Sequence, residues 1–234
     1  MKIKVAQCWD DGIINDIRLT EILRKYGAKA TFNLNPGFMK ETRGSASFVS
    51  RDFQGWSYNG FLCGKLSTKD IPEIYDGFEL ASHGWRHEVA GQVPDDVFIQ
   101  AAVDARKYLE DIVQKPCRGF AWPCGRTTPS TVELLRRNGF AYGRTTNNRD
   151  DVTTNEEPLL LDSNCHYQAC DFYRRFEKAR ETGVFYFWGH SYEMYRYDEL
   201  WAHFEEKIRF LSEDPDVEWV NVIDLVPLLR GGKQ

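Results

Sequence analysis

No run in the chain approaches the eighteen or so apolar residues of a membrane span, and MKIKVAQCWDDG carries no charged leader ahead of a long apolar stretch. The expectation is a protein of the cytoplasm, with no membrane partner. Basic runs are missing too: no cluster of Lys and Arg exceeds a pair, and 30 basic against 35 acidic side chains leave a formal charge of -5. That balance argues against nucleic acid as a partner, and a small or neutral molecule is expected instead. The six cysteines (Cys8, Cys63, Cys117, Cys124, Cys165, Cys170) contain no CxxC pair. They are read as reduced, mainly buried small hydrophobes, with no disulfide framework or cysteine zinc site.

What is present is a large apolar share, 42% hydrophobic and 14% aromatic over 234 residues, enough for one sizeable domain spanning 1–234. KIKVAQCW reads as a strand and NDIRLTEILRKYG as a helix, with Ile17, Ile22 and Leu23 at helical spacing and Gly27 as its stop. AKATFNLNPG returns to strand character. The alternation recurs: FELASH, CRGFAWPCG, AYGRTT, PLLLDSNCHY, GVFYFWGH and EWVNVID read as strands. DDVFIQAAVDARKYLEDIVQ, TPSTVELLRRNGF, CDFYRRFEKARE and DELWAHFEEKIRFLSE read as helices. Seven or so such units point to an α/β fold with its parallel sheet closed into an irregular, TIM-like (β/α)7 barrel. Residues 40–67 break the rhythm as an insertion, with a turn expected at Asn59-Gly60 and the aromatics Phe53, Trp56, Tyr58 and Phe61. It is either a surface hairpin packing its own aromatics or a wall of the site.

Histidine is scarce, five in the chain, yet ELASHGWRHE places His83 and His87 four apart. Alone, such a pair is often two half-buried imidazoles. In a parallel barrel, however, sites collect at the C-terminal strand ends, and there the sequence puts Asp10-Asp11-Gly12, His83, Trp122-Pro123-Cys124-Gly125, Arg144, His166 and His190. Two neutral imidazoles and a carboxylate make a three-ligand face for zinc or a similar divalent ion, with positions left open for water and substrate. Neighbours in an extended segment point opposite ways, so a turn at Gly12 would let Asp11 bind the ion while Asp10 acts as base. Taken alone, a DDG is more often a solvated turn or a helix cap.

The motifs CWDDG, SHGWRH, FAWPCG and FWGHSYE, in that order from residue 8 to residue 193, resemble those of the polysaccharide deacetylase family, the family 4 carbohydrate esterases. The resemblance implies a divalent metal on Asp11, His83 and His87, zinc first and cobalt, nickel or manganese as alternatives. It also implies Asp10 as the base on water, a backbone N–H near Trp122 to Gly125 for the oxyanion, and His190 as the acid for the leaving amine. Trp122, Pro123, Cys124, Gly125, Arg144 and His166 are the expected substrate contacts, although a structural role for His166 is an equal alternative. Two departures stand out. Ala121 occupies the position where many relatives carry an arginine held against the base; Arg144 is the first candidate substitute, with Arg118 and Arg126 behind it. The aspartate that tunes the acid histidine has no clean counterpart, Asp162 and His166 lying in its region. His203 is expected to be packing or surface. FAWPCG and WGHSYE resemble an intracellular branch, which favours short N-acetylated sugars as substrates. The alternatives are a non-sugar amide or cyclic imide, and a metal-containing binding protein without turnover.

Overall fold

The computed structural model describes residues 2–233. The strands are β1 (Ile3–Asp10), β2 (Thr31–Leu34), β3 (Ser47–Phe48), β4 (Phe61–Leu62), β5 (Glu79–Ser82), β6 (Gly119–Ala121), β7 (Tyr142–Asn148), β8 (Leu161–Ser163), β9 (Cys165–His166), β10 (Val184–Gly189) and β11 (Val217–Trp219). The α-helices are α1 (Asp16–Lys25), α2 (Ile71–Ile74), α3 (Asp95–Val113), α4 (Pro129–Arg137), α5 (Phe172–Ala179) and α6 (Asp198–Glu213). Among the described residues no helix is long and apolar enough to cross a membrane.

Period-two patterning in β1 decides which side chains enter the barrel. Val5 and Trp9 face out, packing with Leu19 and Leu23 of α1 and Phe204 and Ile208 of α6. Ala6 and Cys8 face in, meeting Tyr142 of β7, Leu161 of β8 and Tyr186 of β10. Asp10 shares their parity, so the strand delivers its last carboxylate to the barrel mouth.

The sheet runs β8-β7-β6-β5-β2-β1-β10-β9, with β11 also on β1. All of these pairs are parallel. The two ends of this order, β8 and β9, are separated in sequence by Asn164 alone. Asn164 donates its N–H to Tyr186 O at 2.7 Å and accepts the Tyr186 N–H on Oδ1 at 2.7 Å. One short segment therefore pairs with β7 on one side and β10 on the other, and the eight-strand parallel barrel nearly closes through it.

Several elements differ from the sequence pattern. PLLLDSNCHY is not one strand: Pro158–Leu160 is a 3-10 turn ahead of β8. EWVNVID supplies only two of the three residues of β11, Glu218 and Trp219, then enters a 3-10 segment, Val222–Leu228, whose Val222 and Leu225 plug the barrel floor. The four-residue α2 was too short to show a helical period. Residues 40–67 contain the two-stranded antiparallel hairpin β3–β4, with Asn59 and Gly60 both at positive φ (51° and 81°) as a type I′ turn requires. All six cysteines are free, but Cys124 and Cys170 are exposed, which corrects the expectation of mainly buried thiols for those two.

Candidate active site

The C-terminal strand ends surround a cavity of about 690 Å³, lined among others by Asp10, Asp11, His83, His87, Arg144 and His190. Asp10 is 2% exposed and Arg144 is 1% exposed. Arg144 Nη2 donates to Asp10 Oδ2, and Asn33 Nδ2 donates to Oδ1 at 2.7 Å. Burial tends to raise this carboxyl, but Arg144 first, then His83, His190 and Asn33, hold it well below the usual carboxylate range. Asp10 is thus anionic and fixed in rotamer.

Arg144 reaches Asp10 because of strand register. Ala121 pairs with Arg144 across β6 and β7, so the side chain missing from one strand is replaced from the adjacent position of the next. Its guanidinium lies over the Trp188 ring, 4.7 Å from the centroid. Arg118 and Arg126 are exposed and take no part.

Asp11, His83 and His87 bring their ligand atoms within 4.8 Å of one another. His83 is 2% exposed, and its Nδ1 lies 2.8 Å from Ala121 O. The carbonyl can only accept, so Nδ1 carries the proton and Nε2 is left as a lone-pair donor. Burial pushes the His83 imidazole down to about 4 and lowers His87 as well, which keeps both neutral at pH 7. Asp11 is held low because Lys65 leads the charges that outweigh its burial; Lys65 Nζ donates to Asp11 O at 2.7 Å. Asp11 and His87 sit at φ 87° and 61°, left-handed values that cost non-glycine residues about 1–3 kcal/mol each. Gly12, at φ 62°, completes the turn; a Cβ there would lie 2.2 Å from Met39 Cε. An Asp-His-His donor set with neutral imidazoles fits a divalent ion of the zinc or cobalt type.

His190 follows β10. Its Nε2 lies 3.7 Å from Asp10 Oδ2 and its Nδ1 lies 3.2 Å from Glu193 Oε1. Burial tends to lower this imidazole, but the Glu193 hydrogen bond and the Asp10 charge raise it overall. Glu193 also accepts the His190 N–H at 3.1 Å and lies 3.1 Å from His166 Nε2. Glu193 is the residue that sequence reasoning missed. Its signal was the three-residue spacing in HSYE, the spacing of a capping box, which the structure forms here. Asp162 instead accepts from Thr145 and Arg149, away from His190.

The remaining expected contacts divide. Trp122, Cys124 and Arg144 line the cavity, whereas Pro123, Gly125 and His166 are not part of its wall. The Trp122 ring is a core element, stacked on Phe98 and donating Nε1–H to Leu159 O at 2.7 Å. In the 122–125 turn, Trp122 N–H is bonded to Arg144 O, Gly125 N–H to Trp122 O, and Pro123 has none. The Cys124 N–H, at φ 54°, has no partner among the described residues and is the free donor of this turn. Trp56 and Tyr192 add an aromatic wall; Tyr192 stacks on His190 at 4.7 Å and meets Trp56 at 5.4 Å. His203 is exposed on α6.

The fold is shared with solved deacetylases and esterases. A putative polysaccharide deacetylase from Mycobacterium smegmatis superposes with a TM-score of 0.67 at 15% identity, over 100% of this chain and 92% of that one. A family 4 acetyl xylan esterase from Clostridium thermocellum, in complex with cobalt, gives 0.56 at 16% identity over 96% and 91%. The Streptococcus pyogenes deacetylase PplD, in complex with acetate, gives 0.50 at 24% identity, over 66% of this chain and 60% of that one. No match is found among curated proteins. The sequence model of the family "Polysaccharide deacetylase" matches residues 1–143, more than half of the chain. The chain therefore belongs to the polysaccharide deacetylase family.

Proposed function

We propose that the chain is a zinc-dependent hydrolase that removes the acetyl group from an N-acetylated sugar or short oligosaccharide. The observation that carries this reading is one cavity in which a charge-held Asp10 faces both the Asp11, His83 and His87 donor set and the Nε2 of His190. Asp11, His83 and His87 would hold the ion. A divalent cation there would supply Lewis acidity, acidifying water and polarising the acyl carbonyl, which an aspartate held this low needs if it is to accept a proton. Asp10 takes that proton on Oδ2. The Cys124 N–H donates to the oxygen on which negative charge develops. His190, with Nδ1 tied to Glu193, donates from Nε2 to the leaving nitrogen, because an amine anion is too basic to depart unprotonated. Trp56 and Tyr192 offer ring faces to the sugar.

The cobalt in the esterase and the acetate in the deacetylase support the metal and the acyl group. The reading as a non-sugar amide or cyclic imide hydrolase looked to Arg144 as a free cation in the pocket, and Arg144 is committed to Asp10. The binding-protein reading drew on the arginine missing at position 121, and Arg144 supplies that contact.

The experiment is acetate release by zinc-loaded protein from N-acetylated mono- and oligosaccharides beside O-acetylated xylan oligomers. Release from the N-acetyl series, abolished by chelation, is expected. Release from the esters alone would replace the amide with an ester as the bond cleaved.

A further inference from the structure

Building on the reading of His190 as the acid, we infer that His166 is a positioning residue that acts through Glu193 to fix the tautomer and proton affinity of His190. His166 lies on β9 in register with Trp188 of β10, two residues before His190. Its Nε2 is 3.1 Å from Glu193 Oε2, and Glu193 Oε1 is 3.2 Å from His190 Nδ1. The His166 ring meets the Trp188 ring edge-on at 4.8 Å.

The direction of these bonds follows from a backbone donor. The Gln168 N–H donates to His166 Nδ1 at 3.3 Å, so Nδ1 must be the acceptor and the single proton of neutral His166 sits on Nε2, aimed at Glu193. The same argument decides against a second cation among His166, His190 and Glu193, although their ligand atoms lie within 4.8 Å of one another. A cation on Nε2 would force the proton onto Nδ1, against the Gln168 N–H. Glu193 is therefore a hydrogen-bonded link between two imidazoles. Its side chain is 10% exposed, and both its oxygens are engaged.

Without the His166 donor, Glu193 keeps only the two bonds from His190 and can swing toward solvent. His190 then loses the acceptor that places its proton on Nδ1 and the nearest charge that favours its protonated form. The other groups facing His190 are Asp10 and Asp11 at the end of β1 and His87 after β5. Tyr192 stacks on it, and Tyr58 of the hairpin and Tyr167 of the segment after β9 face Glu193. Of these, only Tyr167 adjoins position 166, its ring 4.9 Å from that of His166; the others are not moved directly by a change there.

The test is the NMR titration of the His190 Cε1–H in the zinc-loaded full chain. His166→Phe, His166→Gln and Glu193→Gln are compared with wild type, and His190→Gln assigns the resonance. His166→Phe should lower the His190 pKa by about one unit, in the direction of Glu193→Gln, and His166→Gln, which keeps an N–H donor, should restore most of it. The high-pH limb of kcat/KM should move down by the same amount with KM unchanged. A Glu193→Gln shift with no His166→Phe shift would overturn the inference, as would equal shifts for Phe and Gln. Loss of a second bound zinc in His166→Phe would overturn it in favour of a metal site. If wild-type protein releases no acetate, the deacetylase reading fails, and the NMR comparison still decides the role of His166.

Discussion

Asp10 and Arg144 are both almost fully buried, and each is tolerable there only because of the other: a lone buried charge costs several kcal/mol, a hydrogen-bonded pair far less. Arg144→Met should therefore destabilise the protein by about 3–5 kcal/mol in urea unfolding, and adding Asp10→Asn should recover much of that loss. A cost below about 1 kcal/mol, or none recovered in the double variant, would show the pair to be unimportant. These residues were unequally legible in the sequence. Adjacent aspartates and an HxxxH pair announce themselves, because the types and spacings that ligate metal are few. Arg144 was one candidate among three until the Ala121 to Arg144 register singled it out. Glu193 went unseen because its contact with His190 depends on how the chain turns after β10, and three-residue spacings to a glutamate are common.

At the level of elements, the hairpin and the closing segment do different jobs. The Asn59-Gly60 signal was readable because so few residues tolerate two consecutive positive φ values. What the hairpin packs against was not readable: Phe61 stacks on Tyr195 at 4.1 Å and Trp56 meets Tyr192, which ties the insertion to the loop carrying His190. Trp56 is 63% exposed, so Trp56→Ala should leave stability nearly unchanged and raise KM for an N-acetylated trimer by about tenfold, the worth of about 1.4 kcal/mol of lost stacking area. An equal effect on the monosaccharide, or none on either, would remove the hairpin from the binding surface. Asn164 is the closure. Besides its two bonds with Tyr186, its Nδ2 donates to Arg149 O and Asp150 O. Asn164→Ala strips these and leaves the Tyr186 N–H without its acceptor, an expected loss of about 2–4 kcal/mol in urea unfolding. A change within 0.5 kcal/mol, about the ordinary surface value, would mean the barrel does not depend on this residue. The split of β8 from β9 could not be read from PLLLDSNCHY, since an apolar run shows strand character without showing which neighbour each half pairs with.

Over the whole molecule, the barrel separates chemistry at the mouth from stability at the floor. Alternating strands and helices made that architecture legible, while the short 3-10 segments that plug the floor carry no period to detect. Glu79, at the start of β5, accepts from Thr31, Tyr142 and Ile223 N–H. Burial nevertheless pushes its carboxyl from its ordinary 4.5 up to about 7, since the three donors offset only part of the desolvation. The folded state thus holds a proton that the unfolded chain releases, so stability should fall as pH rises from about 4.5 to about 7 and level off above. The loss is on the order of 2 kcal/mol, given partial exposure. Glu79→Gln should flatten the Tm profile across that window and leave acetate release intact; an unchanged slope would place the pH dependence elsewhere.

The central claim is that the mouth hydrolyses an N-acetyl group with Asp10 as the proton acceptor. It is tested most directly by acetate release from an N-acetylated oligosaccharide by wild-type and Asp10→Asn protein at equal bound zinc. The account predicts turnover in the wild type and a loss of at least about a hundredfold in the variant, within the range general-base catalysis supplies. Equal rates from the two zinc-loaded proteins would contradict it.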